Sequence, residues 1–295
     1  MITFFTTTKD FVGRDAVHQD NAIRSWKASA GNAEVFVFGE CAGMREARDR
    51  LGFVHLPAVE TSEQGTPFIN DMFGRVRDVA AHEICCFVNS DILLSPKFAR
   101  SLVSIHETAG SGYLVAGQRL DVDLEREIRF DPGWEAELEA LCARSGRVHP
   151  PLGSDFFAFP RGQYGKEDIP GLLVGRGGWD LWVIADGRRK GFRVIDLSRE
   201  VLVVHQNHDY SHRNVTFTEY SGDEEALWNV EFLPPGDKQD FTLYACDRYF
   251  REGRIRRNFA RGDWKRFLTI EMNLRKESPA CSLLSKVFFR LGLIY

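Results

Sequence analysis

Three short stretches of the chain carry residue types that could do chemistry. In CCFVNSDILL (85–94) an apolar run ends on Asn89-Ser90-Asp91. A carboxylate placed there can ligate a hard divalent cation, and a neighbouring asparagine can offer a carbonyl oxygen or bind a ribose hydroxyl. The plainer reading is an ordinary turn with an Asx cap. In HQNHDYSH (205–212), which follows the apolar VLVV, three of the eight histidines fall within a few residues of one another. Imidazole is a common metal ligand, although a polar loop with local hydrogen bonds would look the same. His, His and Asp would also suit a zinc hydrolase, but no HExxH helix supplies the usual base. In GRGGWDLW (175–182) the glycines allow a backbone to approach a ligand closely. Asp180 there stands near the first turn of a helix, where a carboxylate is electrostatically favoured and can act as a general base; the alternative is a helix-start carboxylate beside two core tryptophans.

The elements that must position these residues alternate in type. Apolar runs predict strands at 2–6, 34–38, 53–59 and 83–88, and helical spacing predicts helices at 15–28 and from Thr66 onward, with Thr66 as N-cap and Pro67 at the first helical position. Ser95-Pro96 repeats that start. Residues 83–88 are apolar without alternation, which suits a central strand covered on both faces. Residues 89–94 then read as a tight turn from that strand into a helix. In open α/β sheets such turns border the crevice where ligands bind, so Asp91 can be satisfied there by a cation or a polar ligand. Further strands are expected at 113–120, 153–159, 192–197 and 201–204, with helices at 131–144 and from Trp179-Asp180. The pattern predicts an α/β fold, a mostly parallel central sheet with helices on both faces.

Composition narrows the function classes. A chain of 295 residues that is 43% hydrophobic has ample material for a core. A formal charge of -4 argues against a nucleic-acid backbone as the main partner. No stretch approaches the roughly 20 apolar residues that span a bilayer, and the first residues lack the pattern of a signal peptide. A cytoplasmic protein is expected, with its six cysteines reduced and Asn214-Val215-Thr216 a chance sequon. Cys85 and Cys86 should point to opposite faces of their strand.

Taken in order, VNSDILL, GQRLDVD, GSDFFAF, GRGGWDLW and VVHQNHDYSH resemble the nucleotide-sugar glycosyltransferases of the GT-A fold, in the group that carries Asn-Ala/Ser-Asp in place of Asp-x-Asp. The resemblance covers about residues 1–245. It implies a nucleotide-sugar donor, foremost a UDP-sugar, a saccharide or lipid-linked acceptor, and Mn2+ or Mg2+. Asp91 would match the metal-binding carboxylate, Asn89 stands in place of the first aspartate, and Ser90 lies between them on the donor side. His205 or His208 would match the histidine that reaches the metal and diphosphate. Thr6, Thr7, Thr8 and Glu40 would meet the nucleotide base or ribose. Asp180 would hold or deprotonate the acceptor hydroxyl, with Asp155 a second candidate on the acceptor side. Arg119 and Arg176 are candidates for the phosphates, a surface ion pair being the alternative for each.

Two other classes share features with this reading. Sugar-nucleotide pyrophosphorylases have a related sheet, but ITFFTTTKDF lacks their Gly-rich basic loop. A non-catalytic module of the same fold would explain Asn89. Residues 246–295 carry an excess of Lys and Arg with interleaved apolar residues and are expected to form a basic helical extension. That extension would cover the acceptor side, form an oligomer interface, or lie on an anionic membrane surface at the inner face.

Overall fold

The computed structural model describes residues 1–208, 224–233, 238–275 and 279–294. The strands are β1 (Ile2–Thr7), β2 (Glu34–Phe38), β3 (Val54–Leu56), β4 (Ile84–Val88), β5 (Ile92–Leu93), β6 (Tyr113–Ala116), β7 (Arg119–Val122), β8 (Arg147–Val148), β9 (Phe156–Pro160), β10 (Arg193–Asp196), β11 (Val203–Gln206), β12 (Arg248–Arg251) and β13 (Arg254–Arg257). The helices are α1 (Gly13–Ala30), α2 (Met44–Leu51), α3 (Ile69–Val79), α4 (Pro96–Ala109), α5 (Trp134–Ser145), α6 (Trp179–Arg189), α7 (Glu224–Glu231), α8 (Trp264–Leu274) and α9 (Pro279–Arg290).

The large sheet has the order β13-β12-β10-β6-β9-β4-β1-β2-β3. It is mostly parallel, as expected, with β9 antiparallel between β4 and β6 and β13 antiparallel at one edge. All five residues of β4 are buried, because apolar cores lie on both faces. Cys86 belongs to the core that contains Trp26 of α1 and Phe98 of α4, and Cys85 to the one that contains Phe73 of α3 and Ile184 of α6. The strand order reverses at β1, which has β2 on one side and β4 on the other. That reversal opens a crevice at the carboxyl ends of β1 and β4.

A second sheet, β5-β11-β7-β8, stands at this crevice and packs Leu93, Val122 and Val204 against Trp134 and Leu138 of α5. It explains several departures from expectation. The strand expected over 113–120 breaks at Gly117-Gln118, so that β6 joins the large sheet and β7 the small one. Ser154 holds the bend: its Oγ accepts from the Gly117 N–H at 3.1 Å and donates to backbone carbonyls nearby. Residues 89–94 are not a bare turn, since β5 pairs with β11. The strand expected at 201–204 is shifted to β11, which places His205 inside it.

Two other expectations are corrected. Thr66 is not the cap of α3, which starts at Ile69; the Phe68 and Ile69 N–H groups donate to Glu60 and Leu172 carbonyls instead, and the Thr66 hydroxyl donates to Glu225. Residues 246–295 are not helical throughout, for β12 and β13 form a hairpin and β12 pairs with β10. The boundary expected at 245/246 therefore falls just ahead of a strand of the large sheet. Arg261 fastens the segment further, its guanidinium 2.6 Å from the fully buried Asp196 carboxylate.

Removing one partner of a buried pair leaves the other charge uncompensated, at a cost of about 3 kcal/mol. Arg261→Ala should lower the unfolding free energy measured in urea by about that amount, with the midpoint falling and the denaturant slope unchanged; a loss below about 1 kcal/mol would mean that the tail is merely laid on the sheet.

Candidate active site

Asp91 stands where β4 gives way to β5. Its Oδ2 lies 3.1 Å from His208 Nε2 and 3.5 Å from His205 Nε2. One donor atom from each of the three residues falls within 4.8 Å of the others. The sheet register produces this convergence, because Ile92 of β5 is paired with His205 of β11. Gln206 then fixes the Asp91 backbone: its N–H and its Nε2 both donate to the Asp91 carbonyl, and its Oε1 accepts from Asn21 of α1 at 2.9 Å. This amide is fully buried, so it ties strand, turn and helix together where water does not compete.

A second carboxylate stands behind His205. Asp121 accepts from His205 Nδ1 at 3.0 Å, from Arg119 Nε at 2.8 Å and, on its other oxygen, from His149 Nδ1 at 3.1 Å. Arg119 continues to both oxygens of Asp155, at 3.0 and 3.1 Å, and Asn89 donates to Asp155 at 2.9 Å. The Asp121 bond commits the Nδ1 proton of His205 and leaves Nε2 aimed at Asp91. A neutral Nε2 would set its lone pair against a carboxylate, so a proton or a cation must lie between them. Burial opposes charging of His205, but Asp121 and Asp91 outweigh it and raise its pKa to about 9. Burial likewise raises both carboxylates, and their bonds to the histidines, with Arg119 helping at Asp121, hold them well below the usual range.

The donor set fits a divalent cation. Two imidazole nitrogens and a carboxylate converge, and a second carboxylate backs one imidazole, the arrangement that orients histidine ligands in metal sites. Asp91 Oδ1 is buried and has no hydrogen-bond partner among the described residues. A cation taking this place would release the His205 proton.

The remaining expected residues spread along the crevice. Thr6 is buried, its hydroxyl donating to the Thr7 carbonyl, so only Thr7 and Thr8 are partly exposed. Thr8 Oγ1 lies 3.6 Å from Cys41 Sγ, which brings the ends of β1 and β2 together beside the exposed Glu40. Ser90 donates to Gln19, which also accepts from the Lys9 N–H and so links the two strand ends across the crevice. Arg119 is engaged by Asp121 and Asp155, and Arg176 by Glu225 at 2.6 Å and Thr66 at 3.0 Å. Arg119 thus braces the carboxylates behind His205, whereas Arg176 ties the loop before α6 to Glu225 and Thr66. Residues 209–212 of the histidine motif and the sequon at 214–216 lie outside the described residues.

Asp180 opens α6 as expected. A methyl group on Gly153 would lie 2.6 Å from its Oδ2, so this glycine admits the carboxylate. Burial raises the Asp180 pKa to about 6; the nearby Asp155 charge adds to the rise, while the Leu181 and Ser154 N–H groups oppose it. Asp155 is held by the Arg119 guanidinium, whereas the Asp180 carboxylate is met by the Leu181 and Ser154 backbone N–H groups.

Sequence reasoning missed Asp121, His149, Gln206 and Gln19. One signal was available, since Arg119 and Asp121 are two apart in a strand and therefore share a face.

No family model matches the sequence, and no curated protein matches it either. Among solved structures, the chain is similar to glucosyl-3-phosphoglycerate synthase from Mycobacterium tuberculosis in complex with Mg2+ and uridine diphosphate, at 17% identity and a TM-score of 0.45 over 83% of this chain and 79% of that one. The same enzyme in complex with Mn2+, UDP-glucose and phosphoglyceric acid gives 15% identity and a TM-score of 0.45 over 79% and 78%. Likeness at this level decides nothing about the chemistry, which the crevice itself must carry.

Loss of a group that orients a metal-binding histidine typically costs ten- to a hundredfold in metal affinity. Asp121→Asn should weaken Mn2+ binding by about that factor in calorimetric titration while the protein stays folded; an unchanged affinity would remove Asp121 from this role.

Proposed function

We propose that this chain is a glycosyltransferase of the GT-A type that moves a sugar from a nucleotide-sugar donor, a UDP-sugar, to a hydroxyl of a saccharide or glycolipid acceptor. The observation that carries this reading is the convergence of Asp91, His205 and His208 at the crevice where the strand order reverses. Asp180 supports it as a second carboxylate, with a different proton affinity, on the wall formed by α6 and Gly153.

Each part of the chain then has a task. Thr7, Thr8 and Glu40, at the ends of β1 and β2, receive the base and ribose. Asp91, His205 and His208 would hold Mn2+ or Mg2+, which when bound supplies positive charge against the leaving diphosphate. Gln206 and Asp121 keep those side chains in place. Arg176, pinned by Glu225, fixes the glycine loop that precedes α6. In transfer, the acceptor oxygen bonds to the sugar carbon as the bond to the diphosphate oxygen breaks. The acceptor proton passes to the Asp180 carboxylate, which must be ionised to take it.

The pH dependence follows from that last step. Asp180 is raised in the fold to about 6 from 3.8, so it is protonated and inactive as a base below that value. It contributes nothing to stability below 3.8, and its ionisation costs stability as pH rises from there through 6. We expect kcat/KM for transfer from a UDP-sugar to fall below pH 6 with a slope of one proton. Asp180→Asn should lower kcat about 10²- to 10⁴-fold and abolish that limb while donor affinity is kept. Asp91→Ala should abolish UDP release. Full turnover in the Asp91 variant would overturn the reading, and donor binding without any turnover in the parent protein would turn it toward a binding module.

A further inference from the structure

Two features of the C-terminal segment lie outside the crevice and point to one partner. The first is the outer face of the β12–β13 hairpin. Its turn, Glu252-Gly253, has positive φ at both residues, 51° and 73°, as a two-residue hairpin requires. In register, Arg251 stands opposite Arg254 and Tyr249 opposite Arg256. Paired residues share a face, so these side chains lie together on the side away from the buried Phe250. The three arginines are exposed, and the Arg199 guanidinium lies 4.1 Å from the centre of the Tyr249 ring. Like charges directly opposite one another weaken a sheet. Glu252, 3.4 Å from Arg251, offsets part of this. A small hairpin that gathers cations against its own stability is built for an anionic surface.

The second feature is α9. Leu283, Leu284, Val287 and Leu291 recur at helical spacing and are between 43% and 66% exposed, an apolar stripe in contact with water. Lys286 and Arg290 are exposed beside it, and no Asp or Glu follows Glu277 in the sequence. If a second copy covered this stripe through a two-fold contact, Lys286 and Arg290 would meet their own counterparts with no acid on the helix to pair them. A phosphate-bearing bilayer takes both parts, the stripe at the acyl boundary and the cations at the headgroups. None of the described helices is long and apolar enough to cross a membrane, so α9 would lie in the interface plane.

We infer that residues 248–257 and 279–291 form a docking surface for an anionic lipid bilayer. The inference is independent of the reaction carried out in the crevice. Its test is co-flotation of the full chain with phosphatidylcholine vesicles prepared with and without phosphatidylglycerol. The parent protein should bind only the anionic vesicles, and binding should fall as salt is raised from about 0.05 to about 0.5 M. R251Q/R254Q/R256Q should weaken binding roughly a hundredfold, and L283S/V287S/L291S at least about tenfold; all these positions are exposed, so neither variant should lower the parent melting temperature. Equal binding to neutral and anionic vesicles, or no binding to either, would overturn the inference. So would a dimer in light scattering that L283S/V287S/L291S dissociates, since the stripe would then join two copies of the chain.

Discussion

The His205 imidazole is held between two carboxylates, and most of the crevice follows from that constraint. Asp121 fixes which ring nitrogen keeps its proton, and Asp91 receives the other nitrogen. A buried imidazole that faces two acids must be protonated or must share a cation with one of them. The same ring therefore accounts for the depressed carboxylates and for the fit of the site to a divalent ion. His208 adds the second nitrogen from the same stretch of chain. Arg119, reaching Asp155 from Asp121, extends the network until it meets the wall where Asp180 stands.

Keeping these groups together requires two sheets instead of one. If β6 and β7 were continuous, Asp121 would remain in the large sheet, away from β11. The break at Gly117-Gln118 lets β7 pair with β11, and parallel pairing sets Asp121 beside His205. Gly117 suits the bend because an added methyl would lie 3.2 Å from the Phe156 ring. The turn after β4 obeys the same logic, since Ile92 and Leu93 anchor it to β11 and leave Asp91 at the rim. A doubly covered sheet supplies rigidity, and the small sheet supplies the reach from one strand end to another.

The local parts of this arrangement were legible in the sequence. Residues 34–38 and the strand and helix around 84–109 were read correctly because their apolar runs and the Ser95-Pro96 start are short-range signals. Asp91, His205, His208 and Asp180 stood out by type and by position at element ends. The parts that escaped depend on pairing between distant segments: Asp121 and His149 matter only once β7, β8 and β11 are side by side, and Gln206 only once α1 lies against them. Thr66-Pro67 misled because tertiary hydrogen bonds to Glu60 and Leu172 overrode a good local cap. The hairpin at 248–257 was hidden by its arginines, although the Glu-Gly pair between two short runs was a turn signal.

On the reading proposed above, the crevice binds a nucleoside diphosphate through a cation held by Asp91 and the two histidines. The most direct measurement is the thermal stability of the protein with UDP, GDP, CMP or ADP, each with and without Mn2+. Binding to the folded state alone stabilises it by mass action. UDP should raise the melting temperature only when Mn2+ is present, and Asp91→Ala should abolish the effect. Stabilisation by UDP that is indifferent to Mn2+ and to Asp91, or no stabilisation by any of the four, would contradict that reading.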